Sequence, residues 1–491
     1  MNRWAQYYPP AIAAIGTAMY GIDTGIIATT IGHQSFHDHM FPPTGNNPTL
    51  IGKSAVGTLF SGWTADRFSR KYTITIACAT AILGILLSVI GSNIGMFITG
   101  RLLTGWSSGM ILPVVAIYMA EVSKPANRGF VVGFQGLGTA VGFCLANWLG
   151  YVGIFLEGNL KWRFPLALQF PCAVFLMVGS VLLMPFTPRW LASQDRLEEA
   201  KVVLAKIHAD EGQDFVDQEL IQIREQIAAE RTLKEAAGHR WYSSFLLLFK
   251  RQYATRVGLV CFILSLTQLG GVSVIQNYQN IFYATVGFTG DTALLISGIY
   301  GFMGLGGQLF NLFLVADRWR RNTTLWVGCA VLAIMLALCE ALSARFGDGS
   351  NQAAARATIA FIFFYSGLFA VFFNSTMWVV SSELLPIFIR GTGMAMGTFA
   401  QGVASIVVSQ ITPVALENIS WKFYNVFIAA NMVGVLVYLF LLPDTNGKTL
   451  EEIGELFGDT LATAHIRDID VELKEGAAVM EVDIVTRETG A

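Results

Sequence analysis

Twelve stretches of this 491-residue chain stay apolar over the length a bilayer demands, about 20 residues each. They begin near Ala11, Pro48, Thr73, Ile94, Phe130, Phe164, Val257, Ala293, Thr323, Ala354, Gly391 and Tyr424. Hydrocarbon offers no water to open sheet edges, so each span must close its own backbone hydrogen bonds. Helices are therefore expected and strands are excluded. Only 13% of the residues are charged, against about 25% in a soluble domain. The reading is an all-α membrane protein with the lipid bilayer as its solvent. The 49 glycines suit close helix packing in lipid. A net charge of -2 provides no basic face for nucleic acid.

Loop charge sets the orientation. Arg67, Arg70 and Lys71 follow span 2, Lys124 and Arg128 follow span 4, and Arg318, Arg320 and Arg321 follow span 8. The loops after spans 1, 3 and 7 carry no Lys or Arg. Even-numbered spans then exit into the cytosol, and both termini are cytosolic. Residues 189–256 form a charged cytosolic insert with two apolar helix stripes. One is Leu197, Ala200, Leu204 and Ile207; the other is Val216, Leu220, Ile223 and Ile227. Residues 458–491 hold eight acidic and three basic side chains and no long apolar run, the composition of a disordered tail. Cys78, Cys144, Cys172, Cys261, Cys329 and Cys339 lie inside apolar runs without metal-ligand spacing and read as packing residues. No nucleophile–base pair or metal cluster stands out, so neither an enzyme nor a cofactor is expected.

Six spans, an insert and six spans suggest a duplication, and the loop motifs support it. "GWTADRFSRK" (62–71) follows span 2 and "VADRWRRN" (315–322) follows span 8. "EVSKPANRG" (121–129) follows span 4 and "ELLPIFIRG" (383–391) follows span 10. This organises the chain as an N-terminal bundle (1–188), the insert (189–256), a C-terminal bundle (257–457) and the tail (458–491). Repeats of this kind build many secondary transporters around a central site. Asp66, Arg70, Glu121 and Arg128 would converge at the cytosolic mouth of the first half. Asp317, Arg321, Glu383 and Arg390 would do so in the second. Ion pairs among them could hold an inner gate; the alternative is charge that only orients the spans. The acids favour the gate, because Asp and Glu contribute little to the positive-inside bias.

These motifs, with "GRLLTGWSSG" (100–109), "PFTPRWL" (185–191) and "PDTNGKTLEEI" (443–453), resemble the sugar porter family of the major facilitator superfamily, particularly its fungal members. The resemblance runs from about residue 12 to 457. It implies the major facilitator fold, 12 transmembrane helices in two six-helix bundles, a plasma-membrane location and a monomer. Departures are visible. Ser69 and Arg320 stand where the family has Gly, and Phe186 replaces the Glu of its PESPR motif. Span 2 (48–65) is short, contains Lys53, and lacks residues the family has between Gly52 and Lys53.

Span 7 reads "TQLGGVSVIQNYQNIFY" (267–283), similar to the family's QQxxGxNxxxYY. Gln268, Gly271 and Tyr278 match, while Thr267, Ser273 and Asn277 differ. Span 10 reads "NSTMWVVSSE" (374–383), keeping the stacking Trp378 but placing Asn374 and Ser375 at a Gly-Pro. Gln401 falls on a polar site position in span 11. In span 5 the family's Gln aligns with Gly136, and Gln135 is one residue early, about 100° away on an ideal helix. The resemblance makes Gln268, Trp378 and Gln401 substrate contacts. Gln135, Asn277, Tyr278 and Asn374 are either substrate contacts or interhelical hydrogen-bonding groups.

Asp23 lies in the middle of span 1, where a carboxylate works against insertion by about 2.5–3.5 kcal/mol on translocon scales. Arg101 opens span 4. In the family this Asp–Arg pair accompanies proton coupling. Burial favours a neutral carboxyl and a neighbouring Arg favours the anion, so an acid under both influences is suited to exchanging a proton. The alternative is a static buried ion pair. The functional expectation is a transporter that takes up a sugar or polyol by proton symport. A second possibility is a carrier of another small polar molecule, such as an organic acid, a glycoside or a secondary metabolite, in either direction. A non-transporting sensor fits less well, since sensors of this family carry long cytosolic tails.

Overall fold

The computed structural model describes residues 7–40, 56–123, 128–208, 212–237, 243–285, 290–316, 318–346, 352–445 and 457. Among them there is no β-strand, and eleven helices are long and apolar enough to cross a membrane. These fall on spans 1 and 3–12. Residues 48–55 of span 2 lie outside the described residues, and the rest continues as helix from Val56 directly into span 3.

That joint helix, Val56–Ile90, is broken at Ser69, whose φ of 79° and ψ of 157° fall in a region open essentially to glycine alone. The resemblance places Gly at this position, and the backbone shows why. Serine obtains partial compensation: its hydroxyl accepts from the Tyr72 backbone N–H at 3.3 Å and caps span 3.

Spans 1 and 5 pack through small residues. Span 5 (Arg128–Val152) carries Gly138, Gly142, Ala146 and Gly150 at four-residue intervals, all on one helix face. Span 1 (Tyr8–Gly32) lies directly against that face. A Cβ added at Gly138 or Gly142 would collide with the carbonyl oxygens of Ala14 or Ala18. One added at Gly25 would stand 2.9 Å from the Ala146 methyl. Small side chains let the two backbones meet, which in lipid replaces the missing hydrophobic drive for association.

The halves meet along span 5 and span 8 (Asp291–Phe310). Gly301 faces the Cys144 backbone, and Trp148 packs on Gly298 and against the Phe302 ring at 5.3 Å. On the opposite side the joint helix packs against span 11 (Ile387–Ile419). All six cysteines are free.

The insert contains helices Pro188–Ser193, Leu197–Ile207, Gln213–Ala237 and Ser243–Leu248. Leu191, Ala200, Leu204, Val216 and Ile223 form its own small core. Ile207 instead packs with the cluster of the spans. The Lys201–Asp217 ion pair (2.6 Å) and the His208–Glu219 side-chain contact (2.9 Å) clip its two longer helices together. The Asp217 hydrogen bond and charge hold the Lys201 ammonium above its ordinary pKa. Phe186, which replaces an acid of the family motif, stacks on Trp190 and receives Lys71 and Arg196 over its ring at 5.1 and 5.8 Å. An aromatic face thus takes cations that a carboxylate would otherwise take.

Ser69→Gly is expected to stabilise the protein. Relief of backbone strain, about 1–3 kcal/mol, outweighs exchange of a serine cap for glycine, a few tenths of a kcal/mol. The apparent melting temperature in detergent checks this, and a decrease would mean that the cap dominates.

Candidate functional site

Most of the polar positions of the second half sit where its helices are interrupted; Gln401 lies within the continuous helix of span 11. Span 7 is two helices, Arg251–Leu269 and Val272–Thr285, separated at Gly270–Gly271. Gly271 adopts φ of 104°, a conformation that glycine enters without cost. Breaking a helix in a bilayer frees backbone groups that water cannot satisfy. Here the Gly270 carbonyl accepts from the Tyr365 hydroxyl at 2.9 Å and from the Asn431 amide at 3.1 Å. Span 10 is likewise two helices, Gln352–Phe372 and Thr376–Leu384, and the turn between them holds Asn374 and Ser375.

A cavity opens where these interruptions meet the first half, with about 800 Å³ of space, solvent at its mouth included. Gln268, Gln276, Asn374, Trp378 and Gln401 line it from the second half. Tyr20, Leu112, Ala140 and Phe143 line it from the first. Of the expected substrate contacts, Gln268, Trp378, Gln401 and Asn374 border the cavity, and Gln135, Asn277 and Tyr278 do not. Gln135 is buried and donates to the Leu112 carbonyl at 3.4 Å. The Tyr278 hydroxyl donates to the Ser409 carbonyl at 2.7 Å, tying span 7 to span 11. The Asn277 amide nitrogen is buried without a partner.

Several polar groups are already bonded to one another. Gln268 and Gln401 both donate to the Thr267 hydroxyl, at 3.3 and 3.4 Å, and Ser273 donates to the Gln268 carbonyl oxygen. Asn374 donates to the Gly136 carbonyl of the first half at 2.9 Å and to the Gln308 carbonyl oxygen at 2.8 Å. Gln308 in turn donates to Ser375 at 2.7 Å. Gln276 has no intramolecular hydrogen bond among the described residues and faces the cavity. The sequence pattern missed it because the break at Gly271 resets the helical phase that spacing arguments assume.

Asp23 turns from the cavity toward span 4 (Ile94–Val122), although its neighbour Thr24 lines the cavity. Arg101 donates to the Asp23 carboxylate at 2.6 Å and to its backbone carbonyl at 3.2 Å. The Ser108 hydroxyl stands 3.5 Å from the other carboxylate oxygen. Both side chains are nearly buried, at 11% and 13% exposure, in keeping with a charge pair retained inside a bundle.

Two pairs of candidate gate residues are seen among the described residues, one in each half. Arg70 and Glu121 meet at 3.0 Å, and Arg321 and Glu383 at 3.9 Å. Thr445, from the segment after span 12, donates to Glu383 at 2.8 Å, and Arg390 donates to the Leu385 carbonyl. The side chains of Asp66 and Arg128, and Asp317 as a whole, lie outside the described residues.

Residues 10–457 match the model of the sugar (and other) transporter family. The chain belongs to that family. It is 32% identical to the MFS-type transporter criB of Aspergillus cristatus, over 91% of this chain and 92% of that one. It is 28% identical to a high-affinity glucose transporter of Kluyveromyces lactis, over 92% and 84%. Among solved structures, the proton:xylose symporter XylE bound to 6-bromo-6-deoxy-D-glucose superposes with a TM-score of 0.79 at 21% identity, covering 93% of this chain and 100% of that one. The fold is therefore the major facilitator fold, an all-α multi-pass membrane architecture. Family and fold are those of membrane transporters and not of enzymes.

A second polar bridge joins the halves: Gln279 donates to the Asn147 carbonyl oxygen at 2.9 Å, with both residues fully buried. Asn147→Leu should lower the apparent melting temperature, leaving the Gln279 amide unpaired at a cost of about 1–3 kcal/mol. The double variant Asn147→Leu/Gln279→Leu should recover part of that loss, because two apolar partners leave no orphaned group. Additive losses would mean that the bond carries no coupling.

Proposed function

We propose that this protein is a secondary active transporter that moves a sugar or polyol across the plasma membrane by proton symport and alternating access. It works as a monomer with both termini in the cytosol. The observation that carries the reading is the buried Asp23–Arg101 pair, one residue along span 1 from the cavity-lining Thr24. Composition supports a carbohydrate-like ligand: amides of Gln268, Gln276, Gln401 and Asn374 supply donors and acceptors, and Trp378 supplies a ring face for stacking.

Arg101 holds Asp23 through both its carboxylate and its main chain, which ties span 1 to span 4. Proton binding removes the anionic partner of the guanidinium and loosens this tie. Span 1 then shifts, and Thr24, Gly21 and Tyr20 shift with it at the cavity wall. Loss of the proton on the inner side restores the pair and resets the bundle. The gate pairs Arg70–Glu121 and Arg321–Glu383 let each half move as a unit, since neither pair has to break when the halves rock.

A second reading, transport of another small polar molecule in either direction, is favoured by the replacements at Thr267, Ser273 and Gly136. A competition panel of hexoses, pentoses and polyols separates the two.

In proteoliposomes, sugar uptake is expected to rise with an inward proton gradient. Asp23→Asn should abolish accumulation while retaining exchange of labelled for unlabelled substrate. Wild-type uptake that ignores the gradient would rule out symport.

A further inference from the structure

The two walls of the cavity differ in chemistry, and the difference specifies the ligand more narrowly than a free sugar. Every amide at the cavity comes from the second half, through Gln268, Gln276, Asn374 and Gln401, which stand beside Val272, Phe369, Ala370 and Met377 of the same half. The first half presents Leu112, Ala140, Phe143 and Tyr20, with the Tyr20 phenol as its one hydroxyl there besides two threonines. Its two threonines at the cavity spend their protons internally: Thr24 donates to the Tyr20 carbonyl at 3.0 Å and Thr139 to the Gln135 carbonyl at 3.1 Å. Gln135, the nearest amide, is 1% exposed and bonded to Leu112. Position 136 cannot supply one either. A Cβ there would collide with the Ser375 hydroxyl and lie 2.9 Å from the Gln308 amide.

Resting on the sugar reading above, we propose that the preferred substrate is a glycoside bearing an alkyl or aryl aglycone, with its sugar hydroxyls on the second half and its aglycone against the apolar wall of the first. A free hexose carries hydroxyls around its whole ring. Those turned toward Leu112, Ala140 and Phe143 would lose water without gaining partners, and each such group weakens binding about tenfold. An apolar substituent at that edge reverses the sign, because it leaves water for a wall of its own kind.

The test is uptake by the full chain in proteoliposomes, under an inward proton gradient, of glucose, xylose, glycerol and phenyl β-D-glucoside. The half-saturation concentration for phenyl glucoside should be at least about tenfold below that for glucose, the scale of one added apolar group in a fitted pocket. Leu112→Gln should narrow that ratio to below threefold, and Leu112→Met should keep it. Ala140→Asn is a second variant with the same expected narrowing. Phenol should not compete. If free sugars are carried and phenyl glucoside is no better, the aglycone assignment is wrong while the sugar reading stands. A ratio unmoved in folded Leu112→Gln and Ala140→Asn, or competition by phenol equal to that by phenyl glucoside, overturns it as well. If none of the carbohydrates is carried, the sugar reading fails and this assignment fails with it.

Discussion

The carbonyl of Gly270, stranded by a break in span 7, is held by Tyr365 and Asn431, and the candidate site depends on that arrangement. A helix in lipid cannot be interrupted unless other side chains adopt the freed backbone groups. Span 10 supplies Tyr365 and span 12 supplies Asn431, so three helices of the second half cooperate to keep one turn open. The same opening positions Gln268 before the break and Gln276 after it. Gln268, Gln276 and Asn374 reach the cavity beside interrupted backbone, and Gln401 reaches it from the continuous helix of span 11. The cost of breaking the helix is offset by hydrogen bonds drawn from the same bundle.

The first half is built on a different principle. Gly138, Gly142, Ala146 and Gly150 let span 5 meet span 1 backbone to backbone, leaving little room for large or polar groups between them. Its ionisable chemistry is displaced sideways, into the Asp23–Arg101 contact with span 4. The two roles, a candidate proton carrier and a ligand-binding surface, are thereby separated by a single helix. Span 1 carries Asp23 on one face and the cavity-lining Thr24 on another. Polar bridges across the halves are Asn374 to Gly136 and Gln279 to Asn147 among the described residues. The described gate ion pairs stay within each half.

Much of the fold was legible because the bilayer admits so few alternatives. Apolar runs near 20 residues marked eleven of the helices that the structure describes, and the insert's stripes at Ala200, Leu204, Val216 and Ile223 became its core. The pairing of Asp23 with Arg101 was anticipated from the resemblance and from the cost of leaving either alone. The site was less legible. Tyr278 matches a family motif letter yet serves to join spans 7 and 11, and Gln276 matches none yet faces the cavity. Motif letters record residue types, whereas a broken helix changes which way each residue points. The stripe of small residues on span 5 was readable in principle as repeated four-residue spacing. Its partner, span 1, was not.

The sequence by itself determined the class of the molecule: membrane-spanning helices, a duplicated plan, and few charges within the spans, Asp23 and Arg101 among them. Those follow from solvation, which acts on each segment independently of its neighbours. The resemblance marked residue 69 as a family glycine position, and the structure supplied the backbone shape that serine resists there. Only the tertiary structure decided which polar side chains face the cavity and which bind their neighbours. It alone decided that position 136 is closed by Ser375 and Gln308, and that every amide at the cavity comes from the second half. These depend on where six or more helices converge, and convergence is set by packing between segments far apart in the chain, which no local pattern encodes.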